Sequence, residues 1–167
     1  MSYLGAGLGA AAVVDPRIEF QTKYTALEFQ VQLAFQQMLA KNPPAGVVTT
    51  MSNNIQSMQR LAQRALAGET AKMVDVSRVG EAIISEVRAY GASNIPTMED
   101  LVRDIAALPA RFNNAVQAAA RATGKTVKAV AEGAGINPEL LVEQAGDAFK
   151  YAALGAVALA AIYLARR

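Results

Sequence analysis

The stretch DPRIEFQTKYTALEFQVQLAFQQMLAK, residues 15–41, decides the fold class. Within it Phe20, Tyr24, Leu27, Val31, Ala34 and Met38 recur at alternating spacings of four and three, which on a helix of 3.6 residues per turn places them on one face. Asp15-Pro16 is a helix start, an acidic N-cap followed by proline at the first helical position, where the missing N–H costs nothing. Asn42-Pro43-Pro44-Ala45-Gly46 stops the helix after about Lys41. The opposite side carries Gln21, Gln30, Gln32, Gln36 and Gln37 and little charge, while Phe29, Leu33 and Phe35 widen the apolar side, so more than one packing partner is expected.

The same spacing returns downstream. Met51, Ile55, Met58, Ala62 and Ala65 mark a second helix, expected to start near Thr50 or Ser52 and to run to Ala67, with Gly68 as its stop. Val76, Val79, Ile83, Val87 and Tyr90 mark a third, ended by Gly91. Thr97-Met-Glu-Asp100 resembles a capping box and predicts the start of a fourth, whose stripe Leu101, Ile105, Leu108, Phe112, Ala115 and Ala119 continues past Pro109, so a kink or tight break is expected there before the helix yields near Thr123-Gly124. The expected architecture is all-α: amphipathic helices in a bundle or coiled-coil assembly, with a C-terminal membrane-compatible helix.

Three regions follow. Residues 1–15 are an apolar Gly/Ala-rich segment, 16–137 the helical bundle region, and 138–167 a long helix from Pro138 that ends in an apolar segment over 151–165. Tyr3 to Val14 is too short to span, at ~18 Å if helical; it either inserts at an interface or a neighbouring subunit, or stays a loosely docked terminus. The segment 151–165 has no charge, with Tyr151, Leu154, Gly155, Leu159, Ile162 and Tyr163 along it and Lys150, Arg166 and Arg167 flanking it. At ~1.5 Å per residue it covers roughly 22 Å, short of the usual ~20-residue span. Snorkelling basic flanks and interfacial tyrosines would let it cross a thin bilayer; the other reading is an Ala-rich buried helix closing a soluble bundle. Ala148, Ala152, Ala156 and Ala160 form a small-residue row that allows helix self-association inside a bilayer, or simply reflects abundant alanine.

Composition narrows the chemistry. The chain is 53% hydrophobic with net charge +2, and it contains no Cys, His or Trp. Thiol and imidazole chemistry are therefore excluded, with disulfides and most zinc or haem ligation. No enzyme, cofactor, metal site or small-molecule substrate is expected. The first residues lack the basic region of a secretory signal, so no cleavage is expected. Ala119 to Thr126 fits a permissive phosphate-loop pattern with alanine in place of its first glycine, but helix formers precede it where that chemistry needs a strand, so it is read as a chance match. Arg121, Lys125 and Lys128 form a basic stripe: either it salt-bridges the acidic row Glu139, Glu143 and Asp147, or it meets phospholipid headgroups or packaged nucleic acid, without sequence specificity.

Two resemblances follow from these residues. Val127 to Leu141, with small Ala131, turn residue Gly135 and apolar Val130, Ala134, Ile136 and Leu141, looks like the helix-turn-helix of bacterial repressors, though Gln144 stands where an apolar residue is expected and the acidic second helix would repel DNA. The order of Gly/Ala-rich apolar N-terminus, Gln-rich heptad-like helices and membrane-compatible end, mainly over Tyr3 to Ala67, loosely resembles the genome-delivery pilot proteins of microviruses, whose membrane segment lies near the N-terminus rather than the C-terminus. That resemblance implies a bacteriophage virion component that organises a membrane or forms a genome-delivery conduit. Its expected partners are membrane lipid, further copies of itself as a homo-oligomer, or other virion proteins, in the virion or the host inner membrane. The alternatives are a membrane-tethered helix-turn-helix DNA-binding regulator and a lysis or pore-forming protein.

Overall fold

Asp15 caps the first helix as the sequence predicts: its Oδ1 accepts the Arg17 backbone N–H at 2.9 Å, and its carboxylate pairs with the Arg17 guanidinium at 2.6 Å. The computed structural model describes residues 15–133, which form five helices: α1 (Pro16–Leu39), α2 (Ala45–Leu66), α3 (Lys72–Ala89), α4 (Ile95–Thr123) and α5 (Val127–Gly133). Residues 1–14 and 134–167 lie outside the described residues, and with them the expected helix over 138–167, including 151–165, its flanks and its alanine row. No helix among the described residues is long and apolar enough to cross a membrane.

Helices α1 to α4 pack as a bundle in which α1 touches α2 and α4, and α3 touches α2 and α4. Polar ties give the sense of each pairing. Along α1, Glu19 meets Arg111 at 3.1 Å, Lys23 meets Asp104 at 2.7 Å and Gln30 meets Asn94 at 2.7 Å. Rising numbers on one helix match falling numbers on the other, so α1 and α4 are antiparallel, as short connections require.

The α1 stripe is buried at every expected position: Phe20, Tyr24, Leu27, Val31, Ala34 and Met38. Phe20 and Tyr24 stack with ring centroids 5.7 Å apart, and burial, reinforced by the charge of Glu28, raises the Tyr24 pKa. On α2 the expected Met51, Ile55, Met58, Ala62 and Ala65 are likewise buried. That helix nevertheless starts at Ala45, well ahead of Thr50. Pro44 holds φ −56 at its N-cap, and its carbonyl accepts the N–H groups of Val47 and Val48 at 3.0 and 3.2 Å, so a Gly and two β-branched residues that look unfavourable are carried into the first turn. Five of the large fully buried side chains are methionine. Met38, Met51, Met58, Met73 and Met98 are fully buried, their unbranched thioethers filling the spaces that alanine leaves.

Helix α3 departs from expectation. Val76, Ile83 and Val87 are buried, but Val79 and Tyr90 only pack on the edge of the core, and the buried face centres on Gly80 and takes in Ser77 and Ile84. Gly80 explains the rotation. A Cβ there would lie 2.7 Å from Val102 Cγ2 and 3.7 Å from Leu27 Cδ2, so α3 reaches α4 at a point only a glycine leaves open. The buried face of α4 turns accordingly through Met98, Val102, Ile105, Leu108, Phe112, Val116 and Ala120. Ile105, Leu108 and Phe112 lie where expected, whereas Leu101 and Ala119 are half-buried and Ala115 is exposed. Valine removes more apolar area from water than alanine, which favours Val116 over Ala115 at the seam.

Helix α4 opens at Ile95, with Pro96 in its first turn, so Thr97 and Asp100 stand inside the helix rather than forming a capping box. Asp100 pairs with Arg103 at 2.6 Å instead. At the N-cap position, Asn94 turns its amide sideways and donates to the Gln30 backbone and side-chain oxygens at 2.8 and 2.7 Å. Gln37 accepts the Ser93 N–H at 2.9 Å, so two of the glutamines read as an outer polar face fasten the α3–α4 turn to α1. The helix runs through buried Pro109 and ends at Thr123, where Gly124 takes φ 65 as the C-cap.

Gly80→Ala is expected to destabilise the bundle. Helix propensity would gain about 1 kcal/mol in an open site, but forcing a carbon into this contact costs about 1–3 kcal/mol. Chemical denaturation should show the loss, and adding Val102→Ala should recover part of it; equal stability of Gly80→Ala and the parent would remove the close approach as a constraint. A second expectation concerns acid. Hydrogen bonds from Arg17 to Asp15 and from Lys23 to Asp104 hold both carboxyls below the usual aspartate range. A carboxyl depressed in the folded state binds fewer protons than in the unfolded chain, so its contribution is present above about pH 4 and fades as pH falls below that. Thermal melts between pH 6 and pH 2 should drop through this window, with a smaller drop for Asp104→Asn.

Candidate interaction surface

The charges of α1 are all committed to its own cap or to its seams. Asp15 and Arg17 close the N-terminus, Glu19 and Lys23 face α4, and Glu28 accepts from Gln59 of α2 at 2.9 Å. Every exposed residue between Pro16 and Ala40 is consequently uncharged. The outward strip runs through Ile18, Thr22, Ala26, Phe29, Leu33 and Gln36, at spacings of four and three. Ile18 is 64% exposed, Phe29 66% and Leu33 41%. Single exposed apolar residues are ordinary; three on one charge-free strip ~30 Å long mark an interaction surface. The sequence signal was visible, since Phe29 and Leu33 already suggested a second packing partner for this helix. Among the described residues Phe29 and Leu33 stay exposed, whereas Phe35 packs on the core.

The α3–α4 side has the opposite character. An open groove of about 520 Å³ is floored by Ile84 and Val102 and rimmed by Arg88, Glu99 and Arg103. Arg88 pairs with Glu99 and Arg103 with Asp100, so its cations are neutralised and it presents an ordinary solvated face. Among the described residues no cluster of carboxylates suits a metal ion.

The end of the bundle that carries the α1 N-terminus is built differently. Arg111 reaches Glu19 near the start of α1, so the turns of α4 beyond it project past the four-helix core by ~14 Å over 115–123. Phe112 and Val116 form a small second core with Ala131, flanked by Val127 and Val130 of α5. Ala131 is therefore a packing residue, and the rest of the expected helix-turn-helix corner lies outside the described residues. The first and last described residues, Asp15 and Gly133, thus lie at the same end of the bundle.

The three basic residues singled out in the sequence gather on this same end. Arg121 lies in the last turn of α4, Lys125 in the connection and Lys128 on α5, all exposed. Gly124 breaks the helix between them, so they are not one helical stripe but three cations around a corner. Lys128 approaches Glu132 at 3.9 Å; among the described residues Arg121 and Lys125 form no ion pair. The acidic row Glu139, Glu143 and Asp147 lies outside the described residues. Arg121 also suits the negative end of the α4 dipole, which accounts for its position without a ligand. The phosphate-loop pattern has another structural use: Ala119 to Thr123 lie within α4, and Thr126 Oγ1 accepts the Ala129 N–H at 3.2 Å, capping α5.

Because Phe29 and Leu33 contribute little to the core, Phe29→Gln and Leu33→Gln should each leave bundle stability within about 0.5 kcal/mol of the parent. Denaturant midpoints check this, and a large loss would mean that the strip is buried in the folded monomer. No family model, curated protein or solved structure matches the chain.

Proposed function

We propose that this chain is a non-enzymatic, membrane-associated structural protein whose helical bundle is held to a lipid surface by one end. The observation that carries the reading is that Asp15, which follows the apolar segment 3–14 in the sequence, and Gly133, the last described residue before 151–165, both lie at the end where Arg121, Lys125 and Lys128 are exposed. Two apolar attachments beside a cluster of cations fit an anionic bilayer, where each basic residue near the surface contributes about 1 kcal/mol and neither attachment alone need be strong. The Gln-rich helices and the resemblance to phage pilot proteins support a place in a virion, organising the host membrane or forming a conduit for genome passage.

The reading is tested by flotation. The full chain should float with liposomes containing anionic phospholipid, and the combined Arg121→Ala, Lys125→Ala and Lys128→Ala variant should float less, most clearly at low salt. A chain that stays at the bottom of the gradient with every lipid mixture would defeat the proposal. Salt-sensitive binding to duplex DNA that is lost in the same variant, without flotation, would favour the tethered-regulator alternative. Collapse of the host membrane potential on expression would favour a pore-forming one.

A further inference from the structure

We propose that the outward strip of α1 is the seat of a second copy of this chain, with the two α1 helices side by side and parallel. The proposal rests on the membrane reading above for its orientation, and on the strip itself for its chemistry. Helix α1 runs away from the end that carries both Asp15 and Gly133, so in a bundle standing with that end on a membrane its outward face looks sideways. Lipid lies beneath that face rather than against it. Two copies attached to one surface are related by rotation about the membrane normal, which keeps their α1 helices parallel.

The strip suits its own copy. Thr22, Ala26, Phe29, Leu33 and Gln36 follow the alternation that lets one helix seat against another, and small Ala26 leaves room beside Phe29. In a parallel pair every residue meets its own counterpart, so a charge anywhere on the strip would meet a like charge. The strip has none, because Glu19, Lys23 and Glu28 are drawn into the seams with α4 and α2. Stable interfaces in solution use about 20 or more residues per partner, and one helix face offers fewer. Pairing is therefore expected to be weak in dilute solution and strengthened where attachment to a surface raises the effective concentration.

The absence of cysteine from the sequence makes the test direct. Ala26→Cys and Gln36→Cys place single thiols along the strip, and Ala106→Cys places one on the charged α4 side as a control. Each full-length variant is oxidised mildly in solution and on vesicles of zwitterionic or anionic phospholipid, and disulfide-linked dimer is read on non-reducing gels. The proposal expects same-position dimers at both 26 and 36, at least tenfold above the 106 control, and more on vesicles that the protein binds. Adding Phe29→Glu and Leu33→Glu should abolish them while helicity is unchanged. Dimer no higher than the control in either setting overturns the proposal and leaves the strip to lipid or to the chain's own apolar segments. Links only between 26 and 36 in mixed samples overturn the parallel sense. Flotation read on the same samples keeps the two ideas apart: same-position dimers without flotation defeat the membrane reading alone, and flotation without dimers defeats the interface alone.

Discussion

The bundle turns on the approach of α3 to α4 at Gly80, where Val102 occupies the space a side chain would need and Leu27 of α1 closes in from the third side. Packed interiors deform little, so one point of closest approach sets how neighbouring helices are rotated. With α3 pressed down at Gly80, its edge residues Val79 and Tyr90 move to the margin and Ser77 turns inward, where its hydroxyl is satisfied by the Met73 carbonyl at 3.1 Å. The α4 face follows, so that Val102 and Val116 are buried and Ala115 is not.

That packing also decides where charge goes. With α4 on one side of α1 and α2 on the other, Glu19, Lys23 and Glu28 each find a partner across a seam. Such half-exposed pairs contribute little stability individually. Their larger effect is on the surface: they remove charge from the outward side of the helix and leave a strip of Phe, Leu, Ile, Thr and Gln. The groove between α3 and α4 shows the contrast, since its rim keeps its charges and pairs them locally. One molecule therefore has a charged side suited to water and an uncharged side suited to another helix.

The antiparallel arrangement has a third consequence, at the end of the bundle. A four-helix up-and-down order returns the chain to its starting end, and the extra turns of α4 carry α5 and three cations beyond the core there. Helix α5 does not join the main core; it builds a small one with Phe112 and Val116. The first and last described residues, Asp15 and Gly133, thus lie at one end of the bundle.

The sequence by itself determined that four helices lie between residues 16 and 123, where most breaks fall, and which residues of α1 and α2 are buried, because a 4–3 apolar repeat between Pro and Gly signals has one helical solution. Asp15-Pro16 and Gly124 act locally, through a cap and a left-handed turn, and so were legible before any packing was known. Only the tertiary structure decided the rotation of α3 and α4, because the choice between Val79 and Gly80, or between Ala115 and Val116, depends on what stands opposite. It also decided that Gln30 and Gln37 serve as fasteners for the α3–α4 turn, that Arg121, Lys125 and Lys128 surround a corner, and that the side of α1 bearing Phe29 and Leu33 faces outward without charge. Local periodicity sets which residues share a face; long-range packing sets what each face meets.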